Sequence, residues 1–254
     1  MESGVEEAQD RRQIRALVEY DGTDYFGFQI QSGKPTIQGE LEQVLARLAG
    51  NPIRIRYAGR TDTGVHATGQ VIMATLAWRH SIADLERAWN ALLPSAIAIR
   101  QVEPVTEPAF HPRYSARSRI YRYDVWTARW RSPLHQRYTH HEPKPLDVAL
   151  MNQAAALLVG THDFASFGQP TQGEVTIRNV YRANWQQAGQ LLVFEIEANA
   201  FLRRMVRTIV GTLIEVGTGR QSVAGVAEIL TARDRSAAAP PAPACGLCLV
   251  EVKY

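Results

Sequence analysis

Cysteine is almost absent from the 254 residues: Cys245 and Cys248, in "CGLC", are the only two. That count excludes a disulfide framework and a four-cysteine zinc site. The C-x-x-C spacing alone leaves a redox pair or half a metal site open. However, the pair sits in an apolar closing strand with no helix start after it, so the two read as small strand side chains. Lysine is nearly as scarce. All of the 28 basic residues except Lys34, Lys144 and Lys253 are arginine. Arginine's planar fork donates paired hydrogen bonds to phosphate; a GC-rich genome raises arginine as well, so the ratio alone does not name a partner. No apolar run approaches the ~20 residues that cross a bilayer. No glycine-rich loop of the Walker type is present. The first stretch, "MESGVEEAQDRRQ", has neither the basic start nor the apolar core of a signal peptide. Residues 1–13 are therefore expected to form a flexible polar tail, and the protein is expected in the cytoplasm.

What is present suffices for a sizeable core. Hydrophobic residues make up 45% and the net charge is only +3, which suits one large domain or two fused halves. "IRALVEY" (14–20) reads as a strand, followed by a glycine-rich turn. Thr36 caps a helix whose apolar residues Ile37, Leu41, Val44, Leu45 and Leu48 recur at helical spacing, and Gly50 ends it. "PIRIRYAG" and "GQVIMATLAW" read as strands. Ser81 and Asp84 form a capping box for a helix reaching Leu92, which Pro94 stops; "AIAIRQVE" is the next strand. In the second half, 119–126 is a strand and a helix runs from about Asp147 to Leu158. Strands near 174–187 and 190–198 flank an Ala188-Gly189 turn. A helix covers about 202–216, a shorter one starts at Ser222, "SAAAPPAPA" is a loop, and "GLCLVEV" closes the chain. There is no sequence repeat, yet the element order of 14–105 resembles that of 106–254. An α+β fold with two sheets or one extended sheet follows.

Three stretches stand out chemically. "AGRTDTGVHATGQV" (58–71) places Arg60, Asp62 and His66 on a loop between strands, where functional groups often sit. Asp62 and His66 have a spacing that suits metal ligation on a helix, but the glycines here argue against a helix. Asp in T-D-T-G is also a good turn former in its own right. The stretch 113–137 carries seven arginines, one acid (Asp124) and the aromatics Tyr114, Tyr121, Tyr123, Trp126 and Trp130. Arginine reaches phosphates and aromatics stack on bases, a mixture suited to RNA. Equally, Tyr121, Tyr123 and Val125 share one strand face and read as core. In "NAFLRRMVRTIVGTLIEVG", Phe201, Leu202, Met205, Ile209 and Leu213 form an apolar face, with Arg203 and Arg207 on another. Such charges usually sit on a solvated flank. Here Val206, Val210 and Ile214 widen the apolar surface nearly all round, so the helix reads as largely buried. A buried arginine needs an anion, and Asp62 is a candidate.

Several segments, taken together, resemble one family. "GRTDTGVHATGQV" is similar to the signature of the TruA family of tRNA pseudouridine synthases. "YDGTDYFGFQIQ", "FHPRYSARSRIYRY", "NAFLRRMVRTIVG" and "APACGL" resemble its other motifs, in order, from about residue 14 to residue 254. One departure is "SAAAPPAPACGL", where the family more often has a glycine and a threonine ahead of A-P-A. The resemblance implies a pseudouridine-synthase fold: two similar α/β halves, a largely antiparallel mixed sheet and a central cleft. It implies isomerisation of uridines 38, 39 and 40 in the tRNA anticodon stem-loop, by base flipping, with no metal and no cofactor. By resemblance Asp62 is the essential aspartate, Tyr121 packs on the uracil and serves its C5 proton, and Arg207 pairs with Asp62. Arg60 fills the space of the flipped base and Leu247 lies near the uracil. Phe110, His111, Pro112, Arg113 and Tyr114 form a tRNA-contacting segment, and His80 or its neighbour Arg79 is a further contact. His66 is expected to hold its loop by hydrogen bonds, while Gly64 and Gly69 let the backbone turn. A homodimer, with one tRNA across both subunits, is implied too. The competing reading is a non-catalytic tRNA-binding or tRNA-folding protein on the same scaffold.

Overall fold

Side-chain caps set the helix starts. Thr36 accepts a hydrogen bond from the Gly39 amide at the head of α1 (Ile37–Ala49), and Gly50 ends that helix in the left-handed region at φ 71°. Ser81 and Asp84 exchange the reciprocal capping-box bonds at the head of α2 (Ile82–Leu92). Asp147 caps α3 (Val148–Ala156) and Ser222 caps α5 (Val223–Ala232). The exception is α4 (Met205–Gly217), whose N-cap, Arg204, is left-handed at φ 63° with no side-chain cap bond. The helix therefore starts later than the spacing around residue 202 predicts. The reason lies in the backbone: Arg203 exchanges hydrogen bonds with Gln169 (2.8 and 3.4 Å) in an isolated β-bridge, which holds it extended.

The strands are β1 (Arg11–Tyr20), β2 (Arg56–Tyr57), β3 (His66–Ala77), β4 (Ile97–Pro104), β5 (Ser118–Trp126), β6 (His140–His141), β7 (Gly160–Asp163), β8 (Ile177–Ala188), β9 (Leu191–Ala198) and β10 (Leu247–Lys253). This computed structural model describes residues 11–170 and 173–254. Most of the expected 1–13 tail lies outside them; Arg11 to Gln13 already pair with β3. Of "PIRIRYAG" only Arg56 and Tyr57 pair. β3 begins at His66, earlier than Gly69. Cys245 sits in a 3₁₀ turn rather than a strand, while Cys248 lies in β10.

The strands form one mixed, largely antiparallel sheet ordered β4-β1-β3-β10-β5-β9-β8-β7, with β2 beside β3 and β6 beside β5. β10 is parallel to β3 and antiparallel to β5, so the last strand stands at the centre. One core gathers β1, α1, α2, β3 and β4 around Phe28, Leu41 and Trp89; the other gathers β5, α3, β8, β9, α4 and α5 around Tyr123, Phe194 and Ile209. β10 serves both. Leu247 joins the second core, while Leu249 and Val252 join the first. The alternation of a strand puts Leu247 and Leu249 on one face, so the seam between the cores opens on that face.

Candidate active site

A cleft of about 550 Å³ opens at the seam. Its wall includes the turn Asp62–Val65, closed by a hydrogen bond from the Val65 amide to the Asp62 carbonyl (3.1 Å). Gly64 takes φ 77° in that turn, a conformation disfavoured for other residues. Neighbouring elements hold the loop in place. The buried Gln70 bonds both the amide and the carbonyl of Gly59 (3.4 and 2.7 Å), and Tyr20 Oη meets Thr61 Oγ1 at 2.8 Å. Gly69 has a different task from the expected turn. It lies inside β3, where a Cβ would meet the Val250 carbonyl at 2.0 Å, so it permits close approach of β10.

Among the described residues Asp62 is the sole carboxylate in the cleft wall, which carries seven arginines: 60, 113, 119, 178, 203, 204 and 207. Arg207 Nη1 approaches Asp62 Oδ2 at 3.4 Å, and both side chains are largely buried. The expectation that this arginine needs an anion is thus met geometrically. Arg207 is held from behind: its Nε donates to the Ala242 carbonyl (2.7 Å), and the Ala242 amide donates to the Arg207 carbonyl (2.9 Å). The alanine-proline loop is therefore part of the site's frame. Tyr121 lies half-buried on the floor, its ring edge-on to Phe201 at 5.1 Å. Burial pushes the Tyr121 phenol far above the ordinary tyrosine value; Arg119 pulls the other way and Asp62 adds to the rise. Leu247 completes the wall, and the exposed Arg60 stands near Tyr57, with Nε 3.5 Å from its hydroxyl.

The cleft thus brings Arg60, Asp62, Arg113, Tyr121, Arg207 and Leu247 together. Others are placed differently. Phe110 and Pro112 are buried; Phe110 packs on Tyr254 at 5.0 Å and anchors its segment from inside. His111 packs at a tilt against the exposed Tyr114 (4.5 Å), leaving those two rings at the surface. His80 and Arg79 follow the far end of the 12-residue β3, on the order of 40 Å along the strand from the Asp62 turn. His66 points away from the cleft. Its Nδ1 accepts from the Gly22 amide (3.1 Å) and lies 3.2 Å from Asp21 Oδ1, so it braces the loop after β1 rather than its own. Asp62 and His66 face opposite sides of the sheet and cannot share an ion. Two residues escaped the sequence reading. Phe201 was assigned to a helix face but caps Tyr121. Arg119 stands in the sequence as one of the seven arginines of 113–137 with no role of its own, though its place two residues before Tyr121 puts both on one strand face.

The other face is lined by Glu19, Asp21, Asp124 and Glu195 around a second cavity of about 530 Å³, with Arg122 its only arginine among the described residues. Among the described residues no group of His, Cys, Asp and Glu could hold a metal ion, and no helix is long and apolar enough to cross a membrane.

Comparison with known proteins follows the same lines. A family model described as tRNA pseudouridine synthase matches residues 16–115 and 154–254. The chain is 44% identical over 245 residues to tRNA pseudouridine synthase A of Geobacillus kaustophilus, covering 96% of this chain and 95% of that protein. It is 45% identical over 251 residues to the protein of that name from Chloroflexus aurantiacus (96% and 89%). Among solved structures, the archaeal box H/ACA sRNP Nop10–Cbf5 complex matches with a TM-score of 0.33 at 11% identity, over 79% of this chain and 44% of that one, too distant to add to the sequence relatives.

Proposed function

The chain belongs to the tRNA pseudouridine synthase family and isomerises uridine to pseudouridine in tRNA, and we propose that it does so at uridines 38, 39 and 40 of the anticodon stem-loop, with Asp62 as its essential carboxylate. The observation that carries the proposal is a lone carboxylate, paired with Arg207 at 3.4 Å, in a cleft otherwise rich in arginine. Arginines draw the phosphates in, and the carboxylate is left to meet the sugar.

The reaction breaks N1–C1′, turns the base and joins C5 to C1′, so no water is consumed. An ionised Asp62 serves it by attacking C1′, by supporting an oxocarbenium-like sugar or by taking a sugar proton. Flipping the uridine costs a few kcal/mol, least in a loop, and Arg60 at the cleft mouth is suited to fill the gap. Tyr121 packs against the flipped uracil. Its raised pKa keeps the phenol neutral at physiological pH, which favours stacking over a standing role as base. Leu247 forms the apolar wall, and His111, Arg113 and Tyr114 contact the RNA outside. Residues 14–105 and 106–254 act as two halves of one catalytic domain. In the cytoplasm a homodimer shares each tRNA, whose body reaches as far as His80.

The test is Asp62→Asn with tRNA transcripts tritiated at uracil C5 and pseudouridine mapping at 38–40. Tritium release should vanish while tRNA binding persists. Release at the normal rate sinks the assignment of Asp62. Cells lacking the protein but showing full tRNA-dependent growth when given Asp62→Asn would favour the non-catalytic tRNA-folding reading instead.

A further inference from the structure

Arg119 is set apart in the cleft by how its guanidinium is held: Arg178 also donates to backbone carbonyls, but only to Val175 and Ile177 of its own segment. Arg119 lies on β5, on the same face as Tyr121, and donates only to backbone carbonyls: Arg113 at 2.6 Å, Asn199 at 2.7 Å and Ala58 at 3.4 Å. Those carbonyls come from separate segments. Ala58 opens the loop that carries Asp62, Arg113 belongs to the segment leading into β5, and Asn199 begins the connection from β9 to α4 and Arg207. Among the described residues no carboxylate lies within ion-pair distance of it. Burial works against its charge and the neighbouring Arg113 adds to that, whereas the hydroxyls of Tyr121 and Tyr254 favour it. A guanidinium nevertheless keeps its proton near neutral pH. Carbonyl dipoles solvate such a charge without cancelling it. Arg207, by contrast, faces Asp62 and is neutralised.

We infer that Arg119 is a positioning residue with two effects: it ties the three segments around the uracil site, and its uncancelled charge stabilises the uracil anion released when N1–C1′ breaks. The inference rests on the proposed reaction at this cleft. In that step the N1–C1′ electron pair stays with the base. The negative charge spreads over the ring nitrogen and carbonyl oxygens, and C1′ is left electron-poor before the Asp62 carboxylate. C5 then bonds C1′ through its own electron pair and releases its proton to solvent, while N1 takes up a proton, so that the product is an isomer of uridine. A cation fixed beside Tyr121 before the substrate arrives costs no reorganisation as the anion forms.

The experiment measures single-turnover consumption of the target nucleoside in two tRNA transcripts, one with uridine and one with 5-fluorouridine, whose base is the more stable anion. Wild-type enzyme is compared with Arg119→Gln and Arg119→Lys, with thermal melting and tRNA binding as controls for folding. Arg119→Gln should slow uridine consumption about 100-fold and 5-fluorouridine about 10-fold or less. Arg119→Lys keeps the charge and should recover most of the uridine rate. Equal losses on both transcripts, with no recovery by lysine, would mean a purely structural clamp and overturn the inference. Wild-type enzyme inert on uridine transcripts would overturn the underlying reading of the cleft instead.

Discussion

Two cavities of nearly equal size lie back to back across β10 and β5, about 550 Å³ on the Asp62 side and about 530 Å³ on the His66 side. Strand alternation separates them: Leu247, Leu249 and Tyr121 face one, Cys248, Val250, Arg122 and Asp124 the other. Volume does not distinguish them; charge does. The first wall carries seven arginines and one acid, the second four acids and one arginine. An RNA phosphate is drawn to the first and repelled by the second. The acids behind the sheet are also already engaged. Asp124 receives a bond from Arg122 (2.7 Å), Glu195 pairs with Arg182, and Asp21 bonds Thr23 and Tyr138. Asp62 has one arginine at 3.4 Å and an open cleft before it. A carboxylate tied into a strand surface is structural, and one poised at a gap is available for chemistry.

The comparison is most severely tested by removing a charge on each side. Asp62→Asn should lower turnover by ~10⁴-fold or more, the scale of losing an essential reacting group, whereas Asp124→Asn should stay within about 3-fold in the same tritium-release assay. Comparable losses would erase the distinction between the faces. A smaller effect is expected from the arginines. Arg203→Ala or Arg204→Ala should weaken tRNA binding about 10-fold at low salt and reduce the slope of log affinity against log salt by about 1. Arg182→Ala, behind the sheet, should change neither. Filter binding across a salt series reads both.

The mildest effect concerns stability alone. Glu197 accepts from Ser118 Oγ (2.6 Å) and Lys253 Nζ (2.9 Å), joining β9, β5 and β10. Burial alone would raise its pKa, but these bonds outweigh it and hold the carboxyl below the ordinary glutamate value. A depressed folded-state pKa stabilises the protein above the unfolded value, and that contribution disappears as pH falls through the folded value. Glu197→Gln should therefore cost about 1 kcal/mol at pH 7, and progressively less as pH falls through the lowered folded-state value, by denaturant melts. Its turnover should match wild type.

Much of this arrangement was legible in the chain. Caps at Thr36 and Ser81 announced their helices because a cap is local chemistry. Asp62 and Arg207 stood out because one lay on a small-residue loop and the other on a helix too apolar to be exposed. What stayed hidden depended on contacts between distant segments. The late start of α4 comes from Gln169 pairing with Arg203, and no spacing near residue 203 encodes that. Arg119 looked like one of many arginines until its carbonyl partners were visible. Phe110 and Pro112 carry no sign that they face inward, and His66 shows none that its partner is Gly22. The near-central place of β10 was equally invisible, since strand order is a property of the whole sheet.

That central place has a consequence for the protein's birth. During synthesis β10 emerges after every other element. Until then the first core lacks Leu249 and Val252, the second lacks Leu247, and β3 and β5 have nothing between them. Ala242, which holds Arg207, precedes the strand by only a few residues. Before that strand is in place, the cleft lacks its Leu247 and Leu249 wall. A chain cut before Leu247 would thus lack both the apolar wall of the cleft and the strand that joins its two halves.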